Sequence, residues 1–114
     1  MTAQETAQEI AKAASAKKAS RIVIMDMEGV MLATDYFVVA SANTATQVRA
    51  IADNIEEVLG EQGLPFARKE GYREGEWVLL DYNSVVAHIF REEARDYYAL
   101  EALWSDAKQT PYED

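Results

Sequence analysis

Residues 76–104, EWVLLDYNSVVAHIFREEARDYYALEALW, decide the fold. They open with a strand-like run, 77–81, and turn at Tyr82-Asn83-Ser84. A second apolar run follows over 85–90. Alternate residues of a strand share a face, so Trp77, Leu79 and Asp81 point one way and Val78 and Leu80 the other. On the second strand Val86, His88 and Phe90 share a face, and Val85, Ala87 and Ile89 the opposite one. Glu92, Glu93 and Asp96 then open a helical pattern ending at Trp104, with Tyr97, Leu100, Leu103 and Trp104 spaced to cover one side. Both tryptophans, three of the six tyrosines and the only histidine lie in this stretch. That aromatic surplus marks a working surface as well as a core. Trp77 is left between two places: a plug in the core, or the centre of an exposed face with Leu79 and Phe90.

Upstream, residues 2–18 (TAQETAQEIAKAASAKK) are strong helix formers. Acidic residues come early and basic ones late, as the helix dipole favours. The apolar face of Ala7, Ile10, Ala11 and Ala14 is thin, so a lightly docked helix with a loose start is expected. Residues 22–27 form an apolar run closed by Asp26 and Glu28-Gly29, the pattern of a strand buried on both faces. A short link over 29–34 leads to YFVVA at 36–40, which predicts a neighbouring strand in a hairpin. Thr44-x-x-Gln47 has capping-box spacing, followed by a stripe of Val48, Ile51, Ala52, Ile55 and Leu59 that stops at Gly60 and Gly63. Residues 66–70, beside Pro65 and rich in charge, read as an edge strand.

The order is therefore α-β-β-α-β-β-β-α: one mixed five-stranded sheet with packed helices, α/β in class and α+β by strict definition. At 114 residues the chain suits one domain, assigned to 1–106, with 107–114 as a polar, acidic, poorly ordered tail.

Composition narrows the function. There is no cysteine, which removes disulfides, thiolate metal sites and thiol nucleophiles. No segment approaches a signal-peptide core or a membrane span, so the cytoplasm is the expected address. Eleven basic against 20 acidic residues give a net charge of −9. Binding DNA or RNA through phosphates asks for the opposite sign. The charge serves solubility, or a basic protein partner.

Carboxylates at strand ends, Asp26, Glu28, Asp35 and Asp81, could hold Mg²⁺ if two converged. No phosphate-cradling GxxxxGK[ST] or GxGxxG loop accompanies them, and Asp and Glu commonly end strands and begin turns. His88 has no second histidine or cysteine with which to bind a metal, and no evident nucleophile to serve as base. No serine lies in a GxSxG elbow. No catalytic, metal or cofactor site is expected from these patterns.

TDYFVVAS (34–41), TQVRAIADNIEE (46–57), EG…EWVLLDY and VVAHIFREEARDYYALEALW (85–104) together resemble the ribosomal silencing factor, or iojap-like, family. The resemblance is colinear over roughly residues 5–106. It implies a nucleotidyltransferase-like fold without enzymatic activity. It also implies binding to the fourteenth protein of the large ribosomal subunit, obstruction of small-subunit joining, and lowered translation when nutrients are scarce. Free members are often homodimers. Carried over, the binding surface includes Trp77 and, beside it, Leu79, Asp81, His88, Phe90 and the acidic pair Glu92 and Glu93. The turn departs from the family, with Asn83-Ser84 where many relatives carry Gly-Asp; Asn tolerates the left-handed conformation such a turn needs. The rival expectation is a small Mg²⁺-dependent nucleotidyltransferase-like enzyme using Asp26, Asp35 or Asp81.

Overall fold

Ten elements follow one another in the computed structural model, which describes residues 1–113. They are α1 (Ala3–Ala16), β1 (Ser20–Asp26), β2 (Tyr36–Ala42), α2 (Ala45–Glu61), β3 (Arg68–Glu70), β4 (Trp77–Asp81), β5 (Val85–Arg91), α3 (Glu92–Tyr98), α4 (Leu100–Leu103) and β6 (Lys108–Pro111). The strands form one mixed sheet in the order β3-β4-β5-β2-β1-β6. β2 and β5 run parallel, and every other neighbouring pair is antiparallel. The expected β1–β2 and β4–β5 hairpins are both present, and β3 is an edge strand as its charges require.

The sheet has six strands, not five. The sixth comes from the stretch expected to be a poorly ordered tail: β6 pairs antiparallel with β1, Val23 opposite Pro111 and Asp26 opposite Lys108. The Tyr112 N–H extends the ladder by donating to the Ile22 carbonyl at 2.8 Å. All four β6 residues are exposed, so no apolar alternation advertises the strand. The rest of the predicted tail ends in Asp114, outside the described residues.

One sheet face is covered by α1 and α2. Val38, Ala40, Val78, Leu80, Val85, Ala87 and Ile89 meet Ile10, Ala14, Val48, Ile51, Ile55 and Leu59 there. α1 is more firmly seated than its sequence suggests. Thr6 and Ala13 are buried beside the predicted stripe, and Thr2 and Glu5 form a full capping box at its start. At α2 only half of the predicted box forms. Thr44 accepts from the Gln47 N–H, while the Gln47 side chain donates to the Lys17 and Lys18 carbonyls beyond the end of α1.

The second face is covered in part. Met25, Met27, Phe37, Val39 and Phe90 are buried beneath Ala94, Leu100 and Ala107. The predicted single helix over 92–104 is broken at Ala99, which adopts a left-handed conformation (φ 48°, ψ 48°). Its expected apolar stripe breaks with it: Leu100 is buried, whereas Tyr97 and Leu103 are exposed. The cause lies at Arg95, only 1% exposed. Its guanidinium makes a bidentate pair with Glu101 at 3.1 and 2.9 Å and donates to Ser41 Oγ and the Arg21 carbonyl. On a straight helix, residues six apart lie roughly 120° apart around the axis and about 9 Å along it. The left-handed turn folds Glu101 back to reach Arg95.

Candidate partner-binding face

Register places the candidate residues in a grid. Trp77 stands opposite Phe90, Leu79 opposite His88, and Asp81 opposite Val86, all on the second face of β4 and β5. The hairpin that sets this register turns at Asn83, whose φ of 69° is the left-handed conformation expected of it. Gly71 sits behind the start of β4 at φ 76°, where a Cβ would collide with the Trp77 carbonyl oxygen.

Neither predicted extreme describes Trp77. It is half-buried and lies among other rings, centroids 4.9 Å from Phe90, 4.8 Å from Tyr98 and 5.8 Å from His88. Its indole N–H donates to Nδ1 of His88 at 3.0 Å. Phe90, expected on an exposed surface, is fully buried, because α3 and α4 fold over its end of the sheet. His88 is also buried, and burial pushes its pKa down to about 4, opposed weakly by Asp81.

What stays open is a groove of about 370 Å³ at the Leu79–Asp81 end, walled by Leu79, Val86, His88 and Phe37 with Met31 and Thr34. Val86 was legible, since it alternates with His88 and Phe90. The Met31–Thr34 wall was not, because it belongs to a connection without helix or strand that folds across the sheet.

Glu92 and Glu93 lie at the other end, beyond Phe90. Glu92 pairs with Arg21 at 3.5 Å and Glu93 with Arg91 at 3.1 Å, so each has a cation beside it. Asp26 and Asp81 do not converge, whereas Asp26, Glu28 and Asp35 all lie close enough to Tyr36 to add to the upward shift that burial gives its hydroxyl pKa. Asp81 faces the groove, while Asp26 lines a cleft against α1 on the opposite face. Three strand spacings, roughly 14 Å, separate their strands. Each accepts from a backbone N–H two residues on, Glu28 and Asn83 respectively, which is the turn-forming role. Among the described residues no group of three or more His, Asp or Glu is placed to hold a metal ion.

Fold and face together define a small mixed α/β protein with an aromatic-backed, largely apolar groove on its second sheet face. Its relatives place it more closely. The family model described as ribosomal silencing factor during starvation matches residues 1–114. A ribosomal silencing factor from Halalkalibacterium halodurans is 42% identical over 107 residues, covering 94% of this chain and 92% of that protein. The chloroplastic protein Iojap of Arabidopsis thaliana is 32% identical over 108 residues, 93% of this chain and 45% of that longer protein. A crystal structure of a Chromobacterium violaceum protein superposes with a TM-score of 0.90 at 32% identity, covering 100% of this chain and 95% of that one. The chain belongs to the ribosomal silencing factor family.

Proposed function

We propose that this protein regulates translation by binding the large ribosomal subunit through its fourteenth protein and sterically blocking the small subunit, lowering translation under nutrient limitation. The family match across the whole chain carries the reading. Exclusion needs no chemistry: a domain about 34 × 33 × 27 Å, seated where the small subunit docks, makes joining unfavourable. One sheet face of this size can supply the roughly 800 Å² per partner of a standard interface. The site is the second face of β4 and β5, with Trp77, Leu79, Asp81 and His88 at its centre. Phe90 supports Trp77 from beneath, and Glu92 and Glu93 lie at the rim. The net charge of −9 suits a basic ribosomal protein and disfavours stray contact with RNA. Such a factor acts in the cytoplasm, and no helix among the described residues is long and apolar enough to cross a membrane. A homodimer is the proposed form of the free protein.

The test is sedimentation of purified ribosomal subunits with and without the protein. It is expected to enter the large-subunit fraction and deplete joined ribosomes. Trp77→Glu or Leu79→Glu, each placing a charge on the face, is expected to abolish both effects. Binding unaffected by either substitution would remove this face from the assignment.

A further inference from the structure

The two helices on the first face carry their charges in an order that stability does not ask for. They pack antiparallel: the Gln47 side chain donates to the Lys17 and Lys18 carbonyls, Asn54 to the Ala13 carbonyl, and Gln62 to Glu9. α1 holds Glu5 and Glu9 early, with Lys12 late and Lys17 and Lys18 just beyond its end. α2 reverses this, with Arg49 early and Glu56, Glu57 and Glu61 late, against its own dipole. Like charges therefore gather at each end of the layer. The ordinary order in α2 would have set carboxylates beside Lys17 and Lys18. Instead, no ion pair among the described residues joins the two helices. At the cation end, Lys12, Lys17 and Lys18 are exposed, and none is paired with a carboxylate. Arg49 and Arg73 form the far rim. Arg49 donates to the Arg73 carbonyl at 3.1 Å, and a Cβ on Gly75 would lie 2.8 Å from the Arg49 guanidinium, so loop and helix are tightly joined. Asp53, which accepts from the Tyr72 hydroxyl, and Glu74 flank that rim in the chain, so the cation excess is greatest at the two lysines.

We propose that this end of the helix layer is a second contact with the large subunit, an electrostatic seat for the phosphodiester backbone of its RNA. This inference rests on the function proposed above. Charge complementarity selects an anion, and the surface around the cations selects its kind. The start of α2 lies between the two lysines and Arg49, and the exposed residues there are Asn43, Thr44, Thr46 and Ala50. All are small, and none could serve a protein partner as the large buried anchor that carries affinity. A phosphate backbone needs no such anchor, because flexible cations neutralise it without fixed geometry. The loop bearing Arg73 leads directly into Trp77, so the seat adjoins the docking face along one rim. With a net charge of −9 and carboxylates at the opposite end of the layer, the protein meets RNA on this end alone. The second sheet face then decides where the protein docks, and the cation end fixes how it is turned.

The experiment measures binding of the full chain to purified large subunits and, separately, to their isolated fourteenth protein, over a range of salt concentrations. The double variant Lys17→Glu/Lys18→Glu is expected to weaken subunit binding about tenfold at physiological salt. It should also flatten the plot of log affinity against log salt by roughly 1.5 to 2. Binding to the isolated protein should not change. Lys17→Gln/Lys18→Gln, which leaves the end of α1 uncharged, should give a smaller loss of the same kind. Hydroxyl-radical footprinting should show a stretch of subunit RNA backbone protected by the native chain and exposed again with the Glu pair. Unchanged subunit affinity and footprint, with Leu79→Glu still abolishing binding, overturns the RNA contact and leaves the docking face standing. An equal loss on the isolated protein assigns the lysines to the protein interface and also overturns it. Self-association of the native chain that the Glu pair abolishes would set a second copy's carboxylate end against the lysines, and overturns the RNA assignment. Failure of the native chain to bind large subunits overturns the proposed function, and this inference with it.

Discussion

The burial of His88 couples the second sheet face to stability. Its pKa is about 4 in the folded chain, against about 6.5 for an unperturbed histidine. Between those values the unfolded chain takes up a proton that the folded chain refuses. Stability is therefore lost as pH falls through 6.5 and levels off below about 4, by roughly 3 kcal/mol at full extent. Urea midpoints measured from pH 7 to 4.5 are expected to fall more steeply for the native protein than for His88→Phe. Parallel curves would mean that His88 titrates normally. At this scale the sequence was informative in part. Strand alternation put Trp77, Leu79, Asp81, Val86, His88 and Phe90 on one face, as register confirms. It could not tell that Phe90 is fully buried and Leu79 only half-buried, because the cover over Phe90 comes from α3 and α4. Periodicity within a strand is silent about what other elements place on it.

Elements were legible where one local rule governed them, and misread where a distant contact overrode it. α2 announced itself by its cap and stripe; the stripe appears, and Thr44 caps the helix without the reciprocal Gln47 bond of a full box. The 92–104 pattern read as one helix because each residue in it tolerates helix. The break at Ala99 is imposed by the Arg95–Glu101 pair and the burial of Leu100, which no local propensity encodes. Alanine is an unfavourable residue at φ 48°, since its Cβ crowds the backbone in the left-handed region. Ala99→Gly is thus expected to stabilise the protein by up to about 1 kcal/mol, the relief of strain being offset in part by glycine's freedom when unfolded. Thermal unfolding should show a midpoint a few degrees higher. A lower midpoint would mean that the Ala99 methyl does packing that outweighs the strain.

At the scale of the whole molecule, the sheet's two edges are unequal. β3 is short and charged, a well-guarded edge. On the other side β1 is apolar, with Ile22, Ile24, Met25 and Met27 in or next to it, and β6 is what keeps its backbone from solvent. The strand that sequence reading missed is thus the one that closes the sheet. Its role is backbone pairing, which polar residues such as Lys108, Gln109 and Thr110 perform without leaving a hydrophobic signature. Truncation after Ala107 would remove β6 while leaving Ala107 in the second-face core. The β1 ladder and the packing of Tyr112 against the first-face core would go with it. A loss of about 2 kcal/mol follows from a few net hydrogen bonds and one partly buried ring, lowering the midpoint by roughly 5–15 °C. The truncated chain is also expected to self-associate with rising concentration as unpaired β1 edges meet, which sedimentation velocity would detect. Unchanged midpoint and sedimentation would show that β1 needs no such partner. If only self-association increased, β6 would act as an edge guard and contribute little to stability.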